Sequence, residues 1–332
     1  MEFLEHHCLP HWNTSCSLDF HLNYVNLFLF LYISTVSVLT VCGNLLVIVS
    51  IMIFKQLHTP ANLLILSLAL SDFLVGICVM PVESIRSINS CFYMGKSHCH
   101  IFHVIMSVLG SVSLINIMLV AIDRYFAVCE PLMYVSKLTI RKTLMCISLG
   151  WSVSICYNLV PVDLGNSNLT GQIVICLREC AVAVSNAWGP ADLIVSFIAP
   201  CIIMLILYVR ILTVALRQAK IISNTSKKKE SQKNLKSFRK SEVKATKTLS
   251  IIVLVYFICW VPWYISMLNM KQFQKSSVIL SALLCLFYTN SCINPFIYAI
   301  YYPWFKRSVK LVVSLKILHT VTNQINLFTK DV

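Results

Sequence analysis

The chain has 332 residues, of which 58% are hydrophobic and only 12% charged, and it carries a formal net charge of +14. An average soluble domain is about 25% charged, so a mean hydropathy of +0.77 excludes an ordinary soluble protein and describes a chain whose main solvent is lipid. The positive charge lies in short segments between apolar runs, which argues against a nucleic-acid surface and for membrane topology.

Residues 1–24 are polar and contain no Lys or Arg. Without a basic n-region no cleavable signal peptide is expected, and the first apolar run serves as the insertion signal. Seven apolar stretches follow, at about 25–54, 61–85, 99–128, 143–161, 189–217, 246–268 and 277–301. Each is long enough to cross about 30 Å of hydrocarbon. Backbone exposed to lipid must satisfy its own hydrogen bonds, so the runs are helices and not open sheet. The predicted fold is an all-α seven-transmembrane helix bundle over 25–302. Residues 1–24 form an extracellular segment, and 303–332 an amphipathic eighth helix with a cytoplasmic tail.

Basic residues orient the bundle. One set of connections holds Arg86, Lys96, Arg178, Lys271 and Lys275; the other holds Lys55, Lys137, Arg141, Lys142, a dense run from Arg217 to Lys247, and the residues from Lys306 onward. The richer set faces the cytoplasm, which places the N-terminus outside and the C-terminus inside. The Lys/Ser-rich stretch at about 218–245 reads as a solvated loop near anionic lipid, as a surface for a cytoplasmic partner, or as both. In 303–318, Trp304, Phe305, Val309, Val312 and Ile317 alternate with Lys306, Arg307, Lys310 and Lys316, the pattern of a helix lying on the membrane face. The sequons at Asn13 and Asn168 fall on the outer side and predict glycosylation, whereas the one at Asn224 falls on the inner side.

Of the 15 cysteines, most lie in apolar runs and read as small hydrophobes. Cys8, Cys16, Cys91, Cys99, Cys176 and Cys180 fall in outer segments, where disulfides persist. No metal-ligand cluster, phosphate-binding loop or nucleophile elbow appears, and no inverted repeat of the transporter kind is visible. The chain is therefore expected not to be an enzyme and to need no cofactor.

Polar residues inside membrane spans are costly and mark function. Here they come in a fixed order: Gly43-Asn44; Leu68-Ala69-Leu70-Ser71-Asp72; Asp123-Arg124-Tyr125; Trp151; Pro200 with Tyr208; Cys259-Trp260-Val261-Pro262; and Asn294-Pro295-Phe296-Ile297-Tyr298. Across all seven spans this set resembles the rhodopsin-like G-protein-coupled receptors. Lys55-Gln56-Leu57-His58-Thr59-Pro60, Asn290-Ser291-Cys292-Ile293-Asn294-Pro295, Tyr302-Pro303-Trp304-Phe305-Lys306 and Cys176-x3-Cys180 narrow the resemblance to trace amine-associated receptors. That resemblance implies a plasma-membrane receptor for small amines, many of them olfactory, which raises cyclic AMP through a stimulatory G protein.

It also implies site residues. Cys99 would bond Cys180, and Cys176 would bond Cys16 or Cys8. Asp72, Ser113, Asn290, Ser291 and Asn294 would hold a structural sodium ion, or else a hydrated polar network. Arg124 of the Asp123-Arg124-Tyr125 motif would latch to Glu242, an ion pair that breaks as two helices separate; the alternative is no direct contact. Tyr208, Trp260, Pro262, Pro295 and Tyr298 would be moving parts, and Tyr256 stands where relatives usually carry Phe.

The ligand pocket departs from the usual amine pattern. Relatives place an aspartate seven residues after the span-three cysteine, and that position is Met106. A carboxylate appears instead at Asp192 in span five, with Ser196 one turn deeper on a similar face; some divergent fish-like family members carry the amine anchor there. Asp192 is read as the ammonium anchor, or as a solvated carboxylate at a helix end. Glu83 could take a second ammonium or merely face the mouth. Trp263, Tyr264 and Tyr288 would supply cation–π walls, or ordinary packing. The alternative function is a receptor of the same fold for a non-amine ligand.

Overall fold

In the computed structural model the described residues are 24–88, 96–131, 133–134, 138–164, 174–176, 181–183, 188–225, 251–266 and 277–313. Among the described residues, seven helices form the bundle. Helix α1 is Tyr24–Ile53 and α2 is Pro60–Ile88. Helix α3 is Lys96–Cys129 and α4 is Ile140–Leu164. Helix α5 is built from Trp188–Leu193, Ile194–Ile198 and Ala199–Thr225. Helix α6 covers Ile251–Ser266 and α7 covers Ser277–Tyr301. Among the described residues, five helices are long and apolar enough to cross a membrane. Several helices overrun the apolar windows of the sequence: α5 continues to Thr225 and α2 to Ile88. Backbone hydrogen bonding carries a helix beyond the hydrocarbon into the headgroup region, where polar side chains cost nothing.

The bundle order follows from which faces can pack. Helix α1 lies against α2 and α7, α2 against α3 and α4, and α3 against α4 and α5. Large apolar side chains such as Leu205, Ile206 and Val209 on α5 stay exposed, the expected state of a lipid-facing surface. Polar groups turn inward. Asn44 Nδ2 on α1 donates to the Ser291 carbonyl on α7 at 3.1 Å, and Trp151 Nε1 on α4 donates to Ser67 Oγ on α2 at 3.1 Å.

Helices α2 and α5 each contain a π-helical turn, at Val75–Val79 and Ile194–Ile198, which hydropathy does not reveal. Such turns disturb the regular backbone ladder. In α2 the Gly76 carbonyl accepts a hydrogen bond from Ser37 Oγ of α1 at 2.8 Å. A Cβ at Gly76 would lie 2.9 Å from Val41 Cγ2 and 3.3 Å from Thr40 Cγ2, so this approach of α1 to α2 requires glycine.

One element departs from the all-helical expectation. Strands β1 (Val174–Cys176) and β2 (Ala181–Ala183) pair antiparallel, with Cys176 opposite Ala181. The alternation of so short a segment is too brief to read from sequence. Beyond α7, Pro303 opens α8 (Pro303–Val313). Trp304, Phe305 and Leu311 are buried there against residues such as Ile51, Phe54 and Leu57 of the α1–α2 region, while Lys306 and Lys310 are exposed.

Candidate ligand site and switch

At the Cys99 end of the bundle, α4 and α5 hold a carboxylate between them. Asp192 Oδ1 accepts from Ser196 Oγ on its own helix at 2.7 Å and from Tyr157 Oη on α4 at 2.9 Å. Both donors are neutral hydroxyls, and no described Lys, Arg or His lies within ion-pair distance of Asp192. Tyr264 of α6 is within electrostatic reach of Asp192. Tyr157 was not singled out from sequence: a tyrosine in an apolar run has no signal of which helix it will face.

An aromatic floor runs from Tyr264 across the bundle. Tyr264 stacks on Phe197 with ring centroids 4.1 Å apart, and Trp260 lies 6.1 Å from Tyr264 and 4.3 Å from Phe287. Phe287 meets Tyr288 edge-on at 5.5 Å and Trp263 at 6.0 Å. The structure thus brings Trp260, Trp263, Tyr264 and Tyr288 together and adds Phe197 and Phe287, which the sequence reading omitted. Met106 is half-buried on α3, and its sulfur accepts a 3.8 Å hydrogen bond from Tyr288 Oη. Glu83 is buried and forms an ion pair with Arg86 at 2.7 Å. Arg86, first counted with the outer connections, belongs to the last turn of α2.

Deeper in the bundle Asp72 is fully buried. Asn294 Nδ2 donates to its Oδ2 at 2.8 Å. Asn294 thus turns its amide nitrogen to the carboxylate as a donor. Ser113 and Ser291 lie close to Asp72, and Asn290 is buried nearby, on the wall of a small cavity shared with Ser113, Ser291 and Trp260. Asp72 Oδ1 and Ser113 Oγ are buried without a hydrogen-bond partner. Unsatisfied oxygens of this kind suit a hard cation or water, so the residues fit a sodium ion.

At the opposite end Arg124 turns to its neighbour: Nε donates to Asp123 Oδ2 at 2.8 Å, and Nη2 also contacts that oxygen. Tyr134, in the connection after α3, donates to Asp123 Oδ1 at 3.1 Å, a contact unforeseen because the two residues lie on different elements. Tyr298 is fully buried with an unpartnered hydroxyl. Tyr125 packs edge-on against Phe126, Tyr208 is half-buried on α5, and Pro295 meets Gly43 of α1. Glu242 lies outside the described residues, as do Asn13, Cys16, Asn168 and Cys180. Cys99 is disulfide-bonded, and Cys176 is described only as a member of β1.

Comparison with known proteins adds a family. The description "7 transmembrane receptor (rhodopsin family)" matches residues 43–298. Trace amine-associated receptor 13c of Danio rerio is 36% identical over 97% of this chain and 96% of its own length. Trace amine-associated receptor 6 of Homo sapiens is 39% identical over 89% of this chain and 88% of its own. Trace amine-associated receptor 8b of Rattus norvegicus is 36% identical over 97% and 96%.

Proposed function

From the fact that the chain belongs to the rhodopsin family of seven-transmembrane receptors, and within it to the trace amine-associated receptors, we propose that it detects a small amine at the cell surface and activates a stimulatory G protein that raises cyclic AMP. Members of this family are multi-pass membrane proteins and not enzymes; they bind small ligands and engage heterotrimeric G proteins. The amine and the stimulatory coupling are our reading. So are the plasma-membrane location, the outward N-terminus (1–24), the receptor domain at 25–302 and the inward tail (303–332).

The observation that carries the ligand class is Asp192. It is a carboxylate at the Cys99 end of the bundle, oriented by two hydroxyls, uncompensated by any described cation and flanked by aromatic rings. A ligand ammonium supplies the missing charge: its N–H donates to the carboxylate, while the faces of Tyr264 and Trp260 attract its positive end. Ser196 and Tyr157 hold the acceptor still, which lowers the ordering cost of binding. The floor beneath is Trp260 and Phe287, so a ligand pressing on it bears on α6 and α7. Displacement of α6 then frees Arg124 from Glu242, the proposed other half of the latch, for the G protein. Asp72, with Ser113, Asn290, Ser291 and Asn294, would hold a sodium ion, which would neutralise the buried carboxylate. The outer side is fastened by Cys99–Cys180 and Cys176–Cys16 and glycosylated at Asn13 and Asn168, and α8 lies on the inner leaflet.

Met106 favours one other reading. An apolar residue replaces the usual span-three aspartate, which suits a receptor for a non-amine ligand. Purified receptor in lipid nanodiscs with a stimulatory G protein separates the two. A primary amine that stimulates nucleotide exchange supports the amine reading. Silence towards amines together with a response to neutral odorants refutes it.

A further inference from the structure

Among the acidic residues whose side chains are described, two belong to the Cys99 half of the bundle, and they stand at the two ends of one aromatic wall. Asp192 is within electrostatic reach of Tyr264. Tyr264, Trp260, Phe287 and Tyr288 follow one another in contact. Tyr288 in turn is within electrostatic reach of Glu83 and Arg86. Two anionic groups at opposite ends of a ring-lined wall are the arrangement a diamine would need.

The two ends are not equivalent. Asp192 is held by uncharged hydroxyls at 2.7 and 2.9 Å, which orient it and leave its charge uncompensated. Glu83 is 7% exposed and bonded at 2.7 Å to the guanidinium of Arg86, one turn further along α2. A second ligand ammonium at Glu83 would have to share the carboxylate with that guanidinium, which already contacts Oε1. The carboxylate is the buried partner and the guanidinium already compensates its charge, so an added ammonium there gains little further compensation. The pair is therefore neutral towards the ligand, and only one end of the pocket is anionic.

We propose that Arg86 is a specificity-determining residue: by neutralising Glu83 it makes this a receptor for monoamines and excludes diamines. The inference rests on reading the pocket as an amine site. The spacing that builds it, Glu83-x-x-Arg86, places both side chains on one face of α2. Removal of Arg86 leaves Glu83 without a cation, so that a second ligand ammonium would take the place of the guanidinium, and the change is a gain of response and not a loss.

The test compares n-octylamine with octane-α,ω-diamine, and n-pentylamine with pentane-α,ω-diamine, in cells expressing wild-type receptor, Arg86→Met, or Arg86→Met/Glu83→Gln, with cyclic AMP as readout and surface expression matched. Wild type is expected to prefer each monoamine to its diamine. Arg86→Met should raise potency for at least one diamine by about tenfold or more, the effect of a charge-assisted hydrogen bond, with the monoamine response kept. The double variant, a neutral replacement of the pair, should lose that gain and keep the monoamine preference. A wild type that answers diamines as well as monoamines, or an Arg86→Met receptor that reaches the surface, answers monoamines and gains nothing with either diamine, overturns the inference and leaves the amine reading standing. If Arg86→Met fails to reach the surface, the double variant decides: loss of the monoamine preference in it overturns the inference, and its retention supports the neutral pair. Silence of the wild type towards every amine overturns the amine reading and the inference with it.

Discussion

Replacing Asp192 with Asn changes one atom and isolates the charge. Ser196 and Tyr157 both donate to Oδ1, at 2.7 and 2.9 Å. An amide oxygen at that position can still accept both bonds, so Asp192→Asn should fold and reach the surface normally. Asp192→Ala would instead leave two half-buried hydroxyls without their acceptor, mixing a folding cost with a binding cost. What Asn removes is the negative charge presented to a ligand ammonium. A hydrogen bond to a charged partner contributes about 1.5–3 kcal/mol, which corresponds to about 10–150-fold in potency. No described cation shares the charge, so the whole effect of its removal should be read in the ligand response. The assay is a cyclic AMP dose–response to a primary amine active on the wild type, normalised to surface receptor. An unchanged half-maximal concentration in a well-expressed Asp192→Asn receptor would refute the anchor.

Arg124→Ala should separate binding from signalling: the receptor keeps its amine affinity by radioligand binding but stimulates no nucleotide exchange, and retained exchange would remove Arg124 from the coupling step. Asp72→Asn should make agonist affinity indifferent to replacing sodium with a large organic cation, because the uncompensated Oδ1 beside Ser113 Oγ loses its charge; a wild type already indifferent to sodium would argue against the ion site. Gly76→Ala should lower the melting temperature of the purified receptor, since the added Cβ would lie 2.9 Å from Val41 Cγ2 and overpacking costs about 1–3 kcal/mol. An unshifted melting curve would mean that α1 and α2 separate freely at this point.

Much of the bundle is legible in the order of residues alone. A membrane crossing needs only length and apolarity, both local properties, so α1, α2, α3, α5 and α7 lie close to where the apolar runs place them. Polar residues in those runs stand out because lipid penalises them, which is why Asp72, Asn294 and Asp192 can be singled out before any coordinates are known. The same rule marks Glu83 and is silent about its partner. Hydropathy reports whether a side chain is expensive to expose; it does not report what the side chain touches. The bond from Tyr157 to Asp192, the bond from Tyr134 to Asp123 and the run of rings from Tyr264 to Tyr288 each join different elements, and each depends on the rotation and depth of the helices that carry them. Arg86 has a positive-flank meaning in the sequence and a different one in the fold, where it closes on Glu83. The sequence by itself determined the seven-helix fold class, the family and which acidic residues lie among apolar runs. The tertiary structure alone decided which of those carboxylates is compensated, because charge neutralisation is set by distances of a few ångströms between side chains, and packing sets those distances.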